Sequence, residues 1–326
     1  MMKTMKMQFK YLCVAALALV GALTTGCSSD EPDLDVVMPP AASDSVSLNT
    51  PLTLEAKEAG AQVTFTFSDR KASGVVEYST DGTSWSTYTG GTPITLNSVG
   101  DKVMFRSNCA KYDQSNISCD KDCYVYGNVM SLISPTDFAT ATELTEIYTF
   151  RDLFKKNMHI VNHDSKPLSL PATKLTSDCY AHMFEGCTSL KTAPVLPATT
   201  LANNCYESMF QACNNLTTAP ALPATTLAKK CYQQMFYGCD HLETAPVLPA
   251  TKLAYYCYRE MFCRCYNLSS VTCLATDITD KSCLHYWLED AGSTVYDEKT
   301  LHVRSGQPTD KSYWHVPDNW TVVADQ

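Results

Sequence analysis

The sequence predicts an α+β protein: a small antiparallel β-sandwich over residues 51–128, then a solenoid of 26-residue repeats closed by a C-terminal cap. Three observations predict it. In the first part, apolar residues alternate between turn dipeptides. In the second, one register of 26 residues runs unbroken. Within each repeat, apolar side chains return every fourth residue, which reads as one face of a helix.

The chain opens with Lys3, Lys6 and Lys10, an apolar stretch over 11–23, and then Thr24-Thr25-Gly26-Cys27. That order of charge, apolar core and small residues is a secretory signal, expected over 1–26. The small residues before Cys27, with Leu23 upstream, resemble a lipobox, which implies acylation of the Cys27 thiol and a membrane anchor through lipid. Residues 27–50 carry Asp30, Glu31, Asp33 and Asp35 and are rich in Pro, Ser and Ala, so they read as a flexible tether. Acidic residues directly behind the lipid cysteine resemble the surface-export signal of Bacteroidota lipoproteins. Asp44-Ser45-Val46 resembles the O-glycosylation site of that group.

Segments 62–67, 75–78, 94–96, 102–106 and 124–126 alternate as strands do. Asp81-Gly82 and Gly90-Gly91 are hairpin-turn dipeptides. Trp85, Tyr78 and Tyr88 read as core or sheet-face aromatics before they read as a sugar-stacking patch.

The repeats span 170–273, after a degenerate first turn and N-terminal cap over 129–169 and before a cap over 274–326. Leu170, Leu196, Leu222, Leu248 and Leu274 are 26 apart, as are Cys179, Cys205, Cys231, Cys257 and Cys283. Cys187, Cys213, Cys239 and Cys265, and Phe184, Phe210, Phe236 and Phe262, keep the same spacing. In one unit Leu201, Cys205, Met209 and Cys213 form the expected helical face. Leu216 then leads into Thr217, Thr218, Ala219 and Pro220, read as a short extended segment with the alanine inward and the proline outward. One such unit cannot bury enough to fold alone, so neighbours and caps must complete it, with Trp287, Trp314 and Trp320 closing the far end.

These motifs, F-x-x-C-x-x-L with its extended segment, then L-P-A-T-x-L and C-Y-x-x-M-F, resemble the BspA-like leucine-rich repeats of Bacteroidota surface proteins. The resemblance implies a leucine-rich-repeat solenoid, surface display and adhesion-like binding. It supplies no catalytic residues.

The formal charge of -9, without a Lys/Arg cluster after the signal, argues against nucleic acid. The cysteines of a unit lie about 12 Å apart along a helix, too far for a bridge, and read as buried apolar fillers. Cys263 breaks that lattice and is expected at the surface, and a Cys109–Cys119 bridge is left open, with Cys123 nearby. His159 and His163 have helical H-x-x-x-H spacing, but Ile160 stands where a metalloprotease needs glutamate. No nucleophile elbow or phosphate loop is present. The expectation is no enzyme, no metal and no cofactor.

What remains is a binding module at the outer membrane and cell surface, its partner a host or envelope protein or a glycan. The alternative is an accessory envelope component that holds another surface protein or a glycan through the β domain. The ligand face is placed at Lys191, Thr192 and Pro194, at Thr217, Thr218 and Pro220, and at Glu243, Thr244 and Pro246. Convex residues such as Gln211 and Lys229 are expected to contribute less.

Overall fold

The computed structural model describes residues 48–280 and 282–325. The leader, Cys27 and the tether as far as residue 47 lie outside the described residues.

Eight strands build the first part: β1 (Leu52–Ala56), β2 (Ala61–Thr66), β3 (Val76–Ser79), β4 (Ser86–Tyr88), β5 (Ile94–Leu96), β6 (Lys102–Ser107), β7 (Asn116–Cys119) and β8 (Cys123–Asn128). In β2 the side chains of Ala61, Val63 and Phe65 are buried while Gln62 and Thr66 face solvent, as a half-buried strand requires. Antiparallel pairing runs β8-β1-β6-β3-β4 in one sheet and β5-β2-β7 in another. The two sheets meet through Phe65, whose ring lies 5.5 Å from Phe105 of the larger sheet. The larger sheet does not stop at residue 128. Two later strands, β9 (Ile160–Asn162) and β10 (Leu168–Ser169), pair parallel to β8 and bring it to seven strands. Gly127 makes this junction possible: its φ is 85°, and a Cβ there would collide with the carbonyl oxygen of Pro51.

Downstream, the expected α+β class is overturned. From Asn49 onward the described residues contain no α-helix, only a 3-10 turn at Val129–Leu132. Their strands form three small sheets, none of which extends through the repeats as a solenoid wall. The third sheet is parallel and C-terminal: β11 (Ser270–Cys273), β12 (Lys299–Val303) and β13 (Trp320–Ala324). Between β10 and β11 the extended segments of successive units touch only in isolated parallel bridges, such as Thr192 to Thr218, Thr218 to Thr244, and Thr200 to Thr226. Proline explains why these do not grow into strands. Pro220 and Pro223, like their counterparts in each unit, have no N–H to place in a ladder.

The segments expected to be helical are trains of tight turns. Asn204, Ser208 and Ala212 all have positive φ (55°, 52° and 56°), as do Lys230, Gln234 and Gly238 in the next unit. Between them the chain closes i to i−3 bonds: Glu207 N donates to Asn204 O at 3.1 Å and Met209 N to Tyr206 O at 3.2 Å. The alternate N–H groups point out of the turn and into the next unit. Tyr206 N donates to Cys231 O at 3.0 Å, Ser208 N to Gln233 O at 2.9 Å and Phe210 N to Met235 O at 2.9 Å. An α-helix would consume every one of those donors internally. Left-handed backbone at an L-residue costs about 1–2 kcal/mol, and in exchange each unit is hydrogen-bonded to its neighbour.

Side chains stack in the same register. Tyr180, Tyr206, Tyr232 and Tyr258 form one column with ring centroids 5.8, 5.8 and 6.1 Å apart. Phe154, Phe184, Phe210, Phe236 and Phe262 form a second at 5.5 to 5.8 Å. At the far end Trp287, Trp314 and Trp320 are buried, and each indole N–H finds a carbonyl, that of Trp287 on Trp314 O at 2.8 Å.

Candidate binding surface

Six of the nine positions expected to form the ligand face are exposed: Lys191, Thr192, Thr217, Thr218, Glu243 and Thr244. The three prolines are not. Pro194 and Pro220 are buried and Pro246 is half-buried, while Val195, Ala221 and Val247 turn outward in their place. After the exposed, bridged residues Thr192, Thr218 and Thr244 the alanine is only half-buried and burial falls on or near the proline, so strict strand alternation misplaces the proline by one step.

The first unit of this face adjoins the β region through one side chain. The Asn162 amide accepts from the backbone N–H of Lys191 (2.9 Å) and Thr192 (3.0 Å) and donates to Thr192 O (2.9 Å), standing in for a strand backbone. Beside it opens a cleft of about 270 Å³ lined by His163, Ser165, Lys166, Thr192, Pro194 and Val195. Lys166 is held by Glu55 at 2.9 Å and lies 4.7 Å over the Tyr126 ring, while the Tyr126 hydroxyl donates to Glu55 at 2.6 Å. Burial alone would raise the Glu55 carboxyl, but the hydrogen bonds from Tyr126 and Lys166 outweigh it and hold the group below its ordinary range. His163 packs against Tyr124 at 4.8 Å. Two lining side chains, His163 and Lys166, are thus backed by tyrosine rings, and Ser165 and Thr192 add hydroxyls. A second hollow, of about 440 Å³, lies in the C-terminal cap between Ile278, Leu284, Tyr313 and His315, away from the ligand-face positions.

The sequence reading missed the turn side of the later units. Tyr255 and Tyr256 stack at 4.0 Å, with Lys229 5.2 Å over one ring and Arg259 4.9 Å over the other. Arg264 covers Tyr237 at 5.6 Å, and Tyr286 is half exposed beside His285. Tyr256 and Tyr286 have positive φ (both 56°), where a bulky L-residue is disfavoured. Aligning the units would have shown this signal, since the same columns hold Asp178 and Asn204, or His182 and Ser208, in earlier units.

Other sequence candidates are absorbed by the structure. Arg106 covers Trp85 at 4.1 Å, and Tyr88 is buried with its hydroxyl on Thr92 O at 2.6 Å, so no open aromatic patch forms on the β region. His159 and His163 flank the strand β9 and do not share a helix face, and His159 pairs with Asp122 at 3.2 Å. Among the described residues no group of three metal-ligating side chains converges, and no helix is long and apolar enough to cross a membrane. The fourteen described cysteines are unbridged and buried, including Cys263, expected at the surface but 4 % exposed. One column also does more than fill space: Cys187, Cys213, Cys239 and Cys265 each donate S–H to a phenylalanine carbonyl of the preceding unit at 3.0–3.1 Å. Burial pushes the Cys213 thiol up to about 12, which keeps that donor protonated.

No family model, curated protein or solved structure matches the chain. The resemblance to BspA-like repeats is thus carried by the quoted motifs alone.

Proposed function

We propose that this chain is a non-catalytic binding module displayed at the cell surface, anchored through a lipid on Cys27 and needing no cofactor, whose partner is a host or envelope protein or a glycan. One observation carries the reading. From unit to unit the buried columns repeat Leu, Cys, Tyr, Met and Phe, whereas the exposed columns change: Lys191, Thr217 and Glu243 occupy one of them. Identity inside and variation outside is the arrangement of a stack whose surface carries recognition. The extended side, with the Thr192 cleft at its start, offers hydroxyls and single charges of both signs, which suits a polar ligand spread over several units.

The test uses the fragment Ala42–Gln326, because a start at residue 50 would sever the bond from the Asn128 amide to Leu48 O. Probed on glycan and protein arrays, this fragment is expected to bind. Glu243→Lys and Thr218→Trp should each weaken that binding by about tenfold, or 1.4 kcal/mol, without lowering the melting temperature. Unchanged affinity in both variants rejects this face. Loss of binding on Cys27→Ser in cells, with membrane release, tests the anchor, and continued membrane fractionation rejects it.

A further inference from the structure

We propose that Cys119 and Cys123 form an intramolecular disulfide that staples the two β-sheets at their corner. Cys119 is the last residue of β7 in the three-stranded sheet, and Cys123 is the first of β8 in the seven-stranded one. Only Asp120, Lys121 and Asp122 connect them. That connection is clamped on both sides: Asp120 N donates to Gln62 O at 3.2 Å, Lys57 N to Asp122 O at 3.0 Å and Cys123 N to His159 O at 2.8 Å. Asn157 holds the Cys119 side, its amide donating to Ile117 O at 3.0 Å and to the Cys119 sulfur at 3.6 Å. Both side chains turn into the same buried core, at the two ends of this clamped three-residue connection. Cys109, the alternative partner that the sequence left open, is engaged elsewhere: its sulfur accepts from Lys71 Nζ at 3.2 Å beside Gly74.

The chemistry is ordinary thiol–disulfide exchange. Cys119 is 8 % exposed and Cys123 is fully buried, so Cys119 is the thiol an external disulfide reaches. The Cys119 thiolate attacks a small-molecule or protein disulfide, releases one thiol and forms a mixed disulfide. Cys123 then attacks the Cys119 sulfur and releases the second thiol. The protein is oxidised by two electrons, the external disulfide is reduced by two, and the two thiol protons leave with the released thiols. Hydrogen bonding to Cys119 and burial both favour the protonated form of Cys123, which makes the second step slow near neutral pH and faster in mild alkali.

Trypsin separates the three cysteines of this region, because Arg106, Lys111, Lys121 and Arg151 place Cys109, Cys119 and Cys123 in three different peptides. The folded protein is incubated with oxidised glutathione without denaturant, quenched in acid, alkylated, digested and read by mass spectrometry. The expected result is a peptide 112–121 joined to peptide 122–151, two fewer alkylated thiols, and loss of the joined species on reduction. Cys109→Ser should leave the link intact, and Cys123→Ser should abolish it while leaving Cys119 as a glutathione adduct. A link from Cys109 to Cys119, or three separate alkylated peptides after prolonged oxidation, overturns the assignment. A mixture of links that arises equally in urea-unfolded protein also overturns it, since the proposal rests on folded geometry.

Discussion

The β region over 51–128 and the turn-rich units over 170–269 bury comparable side chains by different backbone routes. In β2, a period of two residues put Val63 and Phe65 inward, and the strand followed, because a pleated chain has no other way to keep that alternation. In the units, Cys205, Met209 and Cys213 return every four residues, and the helix that this spacing suggests is absent. Over three recurrences a turn train of period 4.0 and a helix of period 3.6 bury the same residues. A hydrophobic pattern identifies what goes inside; which backbone carries it there depends on where the N–H groups find acceptors.

The two regions should separate most clearly in alkali. Eleven of the fourteen described thiols lie in or beyond the repeats, and burial pushes Cys179, Cys213 and Cys231 up to about 12, against about 8.5 in an unfolded chain. A raised folded-state value means the contribution is fully present below about pH 8.5 and is lost as the pH climbs toward the folded value. The urea midpoint is therefore expected to hold from neutral pH to about 8.5 and then fall steeply, with the units unfolding before the β region. A midpoint independent of pH up to 11 would contradict a protonated buried column.

Next in size is the ring column. Phe210 stacks on Phe184 at 5.5 Å and on Phe236 at 5.8 Å, so Phe210→Ala empties a site walled on both sides. It should cost about 3–5 kcal/mol in chemical denaturation, at least as much as Leu54→Ala in β1. A loss below about 1 kcal/mol, the ordinary scale of surface changes, would show that the rings are not packed as a column.

Cys213→Ala tests the thiol as a donor, because it removes one of the two hydrogen bonds to Phe184 O and leaves only that from Cys187 N at 3.0 Å. An expected loss of about 0.5–1.5 kcal/mol compares with near neutrality if the thiol were only an apolar filler of similar volume.

The smallest effect has the most diagnostic sign. Ala212 has φ 56° at the position that Gly186 and Gly238 hold in the flanking units. Ala212→Gly should stabilise the protein by about 0.5–1 kcal/mol, since relief of left-handed strain exceeds the added chain entropy. In a helix the same change would destabilise by about 1 kcal/mol, so a lowered melting temperature would restore the helical path.

Of the candidate surface, the exposed positions after each leucine were legible because they follow a residue whose burial is unmistakable. The prolines were not, since the alternation slips by one residue after the isolated bridges at Thr192, Thr218 and Thr244, where no continuous ladder holds a strand's phase. The tyrosines around Tyr255 and Tyr286 were overlooked because, on a supposed helix, their positions count only as solvated surface.

By itself the sequence determined the repeat length, the identity of the buried columns and five of the eight strands of the β region, though not β1, β4 or β7, and what it determined follows from side-chain hydrophobicity recurring at fixed intervals. Only the tertiary structure decided the path between those side chains. The N–H of Tyr206, Ser208 or Phe210 has two competing acceptors, one within its own segment and one 25 residues onward in the next unit. The second exists only once that unit is stacked in place. A choice between local and neighbouring hydrogen bonds is invisible to a pattern of apolar residues, because both choices leave the same side chains inside.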